Sequence, residues 1–331
     1  MRPLSRRVIA PMLAIASATT LVASLDRPQD PVPAAAKKFD VTAASCGSCH
    51  TEIHAEWEGR MHHMAWDDEI YQADIAEKSK KKQCYPCHIP QSVLDRLGKR
   101  PRTRDDHHGE GVTCVSCHEQ DGVIHGPYGA KTDAHPTAKH EAFSTEGSSK
   151  LCASCHKISI ADVIGVAKDW EKVYSKQPGA MTCVECHMPE KKRPLAVDPQ
   201  TGQPSGPERM TRQHVVLGPR DSEFCAEAFE LSGRKDGGQV VLAIENLAGH
   251  RIPGLKKLRV FSVQVQLQDT AGKKLTEYTV ELTGKDGLPV AETRDFSFQG
   301  APGATQLGVK IDHLLNGEKL NTVLEQTVTL K

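Results

Sequence analysis

One pentapeptide, Cys-x-x-Cys-His, occurs five times in the first two-thirds of this chain. The copies are Cys46-Gly-Ser-Cys49-His50, Cys84-Tyr-Pro-Cys87-His88, Cys114-Val-Ser-Cys117-His118, Cys152-Ala-Ser-Cys155-His156 and Cys183-Val-Glu-Cys186-His187. Two thiols separated by two residues can meet the two vinyl groups on one edge of a porphyrin, and the next residue then delivers an imidazole to the iron. Five such units predict five covalently attached haems c. A chain built around five flat apolar cofactors has no need of a conventional side-chain core in that region.

The cysteine inventory agrees. Ten of the eleven cysteines fall in these units and only Cys225 is left over. A disulfide scaffold would instead pair cysteines at varied separations. Zinc knuckles need two Cys-x-x-Cys pairs, or added histidines at finger spacing, for each metal, with no demand for His after every second Cys. Cys225 reads as a buried free thiol, with an intermolecular disulfide as the alternative.

Arg2, Arg6 and Arg7 precede an uncharged stretch over residues 8–24, the layout of a cleaved secretory signal peptide (1–24). An uncleaved anchor is the alternative, since that stretch nearly reaches the length that spans a bilayer. The expected location is periplasmic or otherwise exported. A Pro/Ala-rich linker follows over 25–39. The whole chain has 42 basic and 42 acidic residues. Loss of three arginines, together with two propionates on each haem, makes the mature protein acidic by roughly ten charges, which argues against nucleic acid and favours basic redox partners.

The fold class expected is α+β: a mostly α or irregular pentahaem domain over 40–215, then a small antiparallel β-sandwich over 222–331. In the first part, little regular structure is expected beyond helices near the motifs. First cysteines lie 38, 30, 38 and 31 residues apart, an alternation that implies a duplicated two-haem unit and closely packed haem pairs along one line. Residues 239–245, 258–268, 274–282, 306–311 and 321–330 alternate with period two. In the second of these runs Phe261, Val263, Val265 and Leu267 share one face, and Gln264, Gln266 and Gln268 the other. Asp236-Gly237-Gly238, Ala271-Gly272 and Asp286-Gly287 supply turns.

With His50, His88, His118, His156 and His187 assigned as proximal ligands, eleven of the sixteen histidines remain, enough to close the sixth position of every iron. Methionine is the competing ligand and would raise the potential. His250, between Gly249 and Pro253 on a tight inter-strand loop, is a candidate held rigidly enough to reach a haem from the sandwich. The alternative is a histidine that stabilises its own loop.

The segment 46–66, with Cys-x-x-Cys-His-x-x-Ile, Trp57 and Gly59-x-Met61-His62, resembles the opening motif of cytochrome c-554/c-552 type multihaem proteins. Gly111-Val-Thr-Cys114 through His118 with His125, Leu151-Cys152 through His156, and Thr182-Cys183 through His187-Met-Pro resemble later motifs of that family in the same order, so that the likeness covers residues 44–190. It implies His62 and His125 as distal ligands. His54 and His63 depart from the family pattern. Arg212-Gln-His214 and the turn from Asn246 to Gly254 resemble elements downstream of the last motif in related cytochromes. His135 and His140 complete the candidate distal set of His62, His125, His214 and His250.

The function expected is electron transfer between a redox donor and an acceptor through largely bis-His haems, with no catalytic residues. The competing reading is an oxidoreductase acting on nitrite or hydroxylamine at a five-coordinate haem. A scaffold that uses the sandwich for docking is a third class.

Overall fold

The computed structural model describes residues 41–331. The signal peptide and linker expected over 1–39 lie outside the described residues. Among the described residues no helix is long and apolar enough to cross a membrane.

Every haem motif sits on or directly after a short helix, and small hydroxylated residues start most of them. Thr42 caps Ala43–Gly47 by accepting from the Ser45 amide, and Ser144 caps Thr145–His156 by accepting from Gly147. Thr182 caps Cys183–His187, while Glu185 Oε2 accepts from the Thr182 amide at 2.7 Å. Such caps satisfy amides that a helix start leaves open. The third and second motifs lie on Cys114–His118 and Tyr85–His88.

Between these helices the chain forms more sheet than the sequence pattern suggests. Strands β1 (Glu119–Gln120), β2 (Val123–Gly126) and β3 (Thr137–Lys139) form one small sheet, and β4 (Glu190–Val197) pairs antiparallel with β5 (Pro204–Arg212). The β4–β5 hairpin is largely solvated and charged, so it carries no hydrophobic period to read. Its anchor is Arg193, 2% exposed, whose guanidinium donates to both oxygens of Glu56 at 2.6 and 2.9 Å.

The C-terminal part comprises β6 (Phe229–Asp236), β7 (Gln239–Asn246), β8 (Arg259–Gln268), β9 (Lys274–Thr283), β10 (Thr293–Gln299), β11 (Gln306–Leu315) and β12 (Glu318–Thr329). One antiparallel sheet has the order β10-β7-β6 and the other β12-β11-β8-β9. All five alternating sequence runs are strands, and the α+β class holds. β6 and β10 were not among those runs, because charged residues interrupt their apolar positions. Phe261, Val263, Val265 and Leu267 are buried together with Leu242, Ile244, Leu307 and Ile311 in one core, the inward faces of two packed sheets.

The sandwich does not hang free. Arg251 donates to Asp169 at 2.8 Å, the Ile164 amide to Gly254 O at 3.0 Å, and the Lys256 amide to Asp162 O at 2.8 Å. All the described residues fall within one compact unit, so a loop of the sandwich is placed against the motif-bearing helices.

Candidate haem-binding site

All ten motif cysteines and all five motif histidines line one branched cavity of about 2400 Å³. Thiols from different motifs meet there: Cys46 with Cys114, Cys87 with Cys155, and Cys152 with Cys183. The first motif therefore abuts the third, the second abuts the fourth, and the fourth abuts the fifth. Two of these three contacts follow the two-haem repeat read from the motif spacing. Cys46 with Cys114 and Cys87 with Cys155 lie one repeat apart, whereas Cys152 and Cys183 belong to motifs adjacent in sequence.

Backbone carbonyls fix four of the five motif imidazoles. Nδ1 of His50 donates to Leu195 O at 2.7 Å, Nδ1 of His118 to His125 O at 2.7 Å, and Nδ1 of His187 to Leu217 O at 2.6 Å, while Nδ1 of His88 donates to Ala65 O. With the proton held at Nδ1, Nε2 keeps the lone pair that a metal needs, the usual arrangement around a metal-bound imidazole.

Four of the five motif histidines face a second histidine. Ring centroids are 6.4 Å apart for His50 and His135, 6.1 Å for His118 and His214, 6.3 Å for His156 and His62, and 6.3 Å for His187 and His250. Two metal–nitrogen bonds of about 2 Å each, added to the distance from each ring centre to its nitrogen, come to about 6 Å. The spacing fits one iron between each pair. His214 and His250 also donate from Nδ1 to carbonyls, of Arg212 and Arg251, at 3.0 Å each. Burial, with His62 as the next influence, pushes His156 down to about 4, and burial with the neighbouring His118 does the same to His214. Both imidazoles are neutral near pH 7 and keep the lone pair that a metal needs.

Local sequence explains how the opposed histidines are held. Gly111 has φ +54°, and a Cβ there would lie 2.4 Å from the carbonyl oxygens of His62 and His63. This close approach lets the Val112 amide donate to His62 O at 2.8 Å, and Trp57 Nε1 donates to Val112 O at 2.9 Å. The His214 amide donates to Glu56 Oε2 at 2.9 Å, the same carboxylate that pairs with Arg193. For His250, the buried Asn246 donates from Nδ2 to His250 O, Leu288 O and Pro289 O, and its Oδ1 accepts from Ala248. A Cβ at Gly249 would meet Tyr174 and Trp170 at 3.1 and 3.3 Å, so glycine lets that loop seat against the helix Ala167–Lys172 and the turn after it.

The remaining candidates lie elsewhere. His125 and His140 stand edge to face at 5.4 Å and oppose no motif histidine. His125 offers its backbone carbonyl to His118, and His140 Nδ1 accepts from the Ala142 amide. His88 opposes no histidine among the described residues. Its ring stacks on Tyr71 at 3.6 Å and 9°. His54 and His63 pack on Trp57, and His108 on Trp66. Sequence reasoning did not find the Leu195 and Leu217 carbonyls, Tyr71, or the Glu56–Arg193 pair. Backbone acceptors leave no residue signature, and Glu56 and Arg193 are 137 positions apart.

A family model described as cytochrome c554 and c-prime matches residues 45–119. The structure is similar to a penta-heme cytochrome c552 from Thermochromatium tepidum, with TM-score 0.60 and 15% identity, covering 87% of this chain and 99% of that one. The cytochrome c-type protein TorY of Escherichia coli O157:H7 is 26% identical over 147 residues, 44% of this chain. This chain is a multihaem c-type cytochrome. Its cofactor is haem c, and the cavity fits it: apolar walls, all ten motif cysteines, and all five motif histidines on its lining. The match spans 35% of the length of TorY, so it covers only part of that relative. The family model covers the first three motifs of this cytochrome, and the structural likeness extends into the sandwich.

Proposed function

We propose that this cytochrome is exported, carries five covalently attached haems c, and passes single electrons between a redox donor and an acceptor. The observation that carries the reading is the set of four histidine pairs at one-iron spacing. Six-coordinate haem supplies one-electron exchange without an open position for substrate. The chain's own part is to hold the ligands still, to exclude water, and to bring neighbouring motifs into contact. Apposition of Cys46 with Cys114, Cys87 with Cys155 and Cys152 with Cys183 supports porphyrin edges close enough for rapid transfer. The route runs from the first motif to the third and fourth, with the second and fifth both branching from the fourth. Cys117 also lies near Cys152 and Cys155, which joins the third motif to the fourth. An acidic surface matches basic docking partners.

Intact mass of the purified holoprotein tests the haem count. The expected value is the polypeptide cleaved after residue 24 plus five haems, and a fully matured protein with four or fewer would remove a motif from the reading.

A second reading attaches to one place. His88 faces no second histidine among the described residues, so a small nitrogen compound such as nitrite or hydroxylamine would have its open iron there. Stopped-flow mixing separates the two readings. A carrier, fully reduced, reoxidises with nitrite or hydroxylamine no faster than the buffer control, whereas rapid multi-turnover reoxidation would replace the carrier reading with the enzyme.

A further inference from the structure

Arg259 opens β8, at the end of the loop that carries His250, and lines the same cavity as His187, Phe224 and His250. Its Nε is sealed from solvent and has no hydrogen-bond partner. No carboxylate balances it among the described residues. Its ionisable neighbours are the Cys225 thiol, which burial pushes up to about 11 and so keeps neutral, His313, and another cation, Arg220, which is already paired with Asp68 at 3.0 Å. The other cavity-lining arginines are engaged: Arg212 with Glu190, Arg251 with Asp169, and Arg209 over the Tyr128 ring. Burial holds the Arg259 guanidinium down to about 10, still well above neutrality, so the group is charged.

A buried guanidinium with no anion is strongly unfavourable, and proteins retain one where a carboxylate or phosphate completes it. The planar fork of an arginine suits a carboxylate held in two parallel hydrogen bonds. Phe224 packs on His187 at 5.0 Å, and Cys225 follows it in the short helix Ser222–Ala226, so Arg259 lies close behind the fifth motif. We propose that Arg259 is the counter-ion of a propionate carboxylate of the haem held by Cys183, Cys186 and His187. The sandwich then contributes two groups to that haem, an axial imidazole and a buried positive charge. This inference rests on the reading that the fifth motif carries a haem. A guanidinium at that position stabilises the reduced, less positive iron and sets this haem's potential above that of the same site without it.

The test uses the full-length holoprotein with Arg259→Gln and Arg259→Lys. Mass and low-spin spectra come first. Loss of a haem from wild-type protein would count against the pentahaem reading, independently of Arg259. In the Gln variant with five haems retained, the reduction equilibrium of one haem is expected to shift roughly tenfold toward the ferric state, about 59 mV for one electron, with the other four unmoved. The Lys variant keeps the charge and loses the fork, so the same haem shifts by less. If the Gln variant fails to mature, that smaller shift in the Lys variant carries the test. Five unchanged potentials in a mature variant would overturn the proposal. So would a wild-type potential that depends on added inorganic phosphate, because the anion at Arg259 would then be a free one.

Discussion

His187 and His250 face each other with ring centroids 6.3 Å apart and planes 9° from parallel, although one lies in the last haem motif and the other on a loop of the sandwich. The spacing leaves room for one iron between the two imidazoles. His250→Ala is therefore expected to convert one low-spin haem to high-spin while five haems remain attached. Asn246 and the Asp169–Arg251 pair hold the loop without the imidazole, so the fold survives. His250→Met should keep that haem six-coordinate and raise its potential. Electron paramagnetic resonance of the oxidised variants checks both, and an Ala spectrum identical to wild type would remove His250 from the ligand set.

His88 leads to a different spectrum at the second motif. Four histidine pairs predict four low-spin haems, and the haem at Cys84, Cys87 and His88 is expected to give the one high-spin signal of the native protein. His88 packs flat against Tyr71, whose hydroxyl is buried without a partner. Tyr71→Leu should leave haem number unchanged and let the His88 ring reorient, which would appear as a changed rhombicity of that high-spin signal alone. Five low-spin signals in the native protein would mean that a ligand other than histidine closes this site.

The Glu56 carboxylate joins three separate pieces of chain. It accepts from both terminal nitrogens of Arg193 on β4 and from the His214 amide, and it stands one residue before Trp57 on the helix Thr51–Trp57. Glu56→Ala strands a buried guanidinium and frees His214, at a cost of about 3–5 kcal/mol. Thermal unfolding of the holoprotein should fall accordingly, and the haem at His118 should show partial high-spin character. An unchanged spectrum with lowered stability would confine Glu56 to a structural role.

Much of this arrangement was legible in the sequence, and the boundary has physical causes. The motifs carry their own chemistry in consecutive residues, so the haem c cofactor could be read directly, and the motif cysteines and histidines proposed to hold it line one cavity. The alternation from Phe261 to Leu267 fixed β8 because one face of that strand is sealed in the core. Which distal histidine opposes which motif depends on chain reversals that no local pattern encodes. His135 and His50 are 85 positions apart, and His62 crosses to His156 in the fourth motif. His125 was chosen through resemblance, and the structure instead seats it beside His140, with its carbonyl serving His118. The β4–β5 hairpin escaped notice because charge, not apolar period, fills its strands.

His313, on β11 and fully buried, stacks on Phe261 with centroids 5.1 Å apart. Its Nδ1 donates to Pro219 O at 3.0 Å, while its Nε2 is buried without a partner. Burial, followed by the nearby positive Arg259, lowers it from 6.5 to about 4. Between those two values the unfolded chain binds one proton more than the folded chain, so stability rises with pH across that window. The contribution is fully present above about pH 6.5 and is lost progressively as pH falls toward 4, on the order of 3 kcal/mol in total. Below about pH 4 both states are protonated and the slope from this group vanishes. Urea unfolding of the holoprotein, followed by far-ultraviolet circular dichroism from pH 7 to pH 4, measures the slope. His313→Gln retains a donor for Pro219 O but cannot titrate, so its curve should be flatter than wild type by up to one proton within the window. Parallel curves for the two proteins would show that His313 already carries its proton in the folded state.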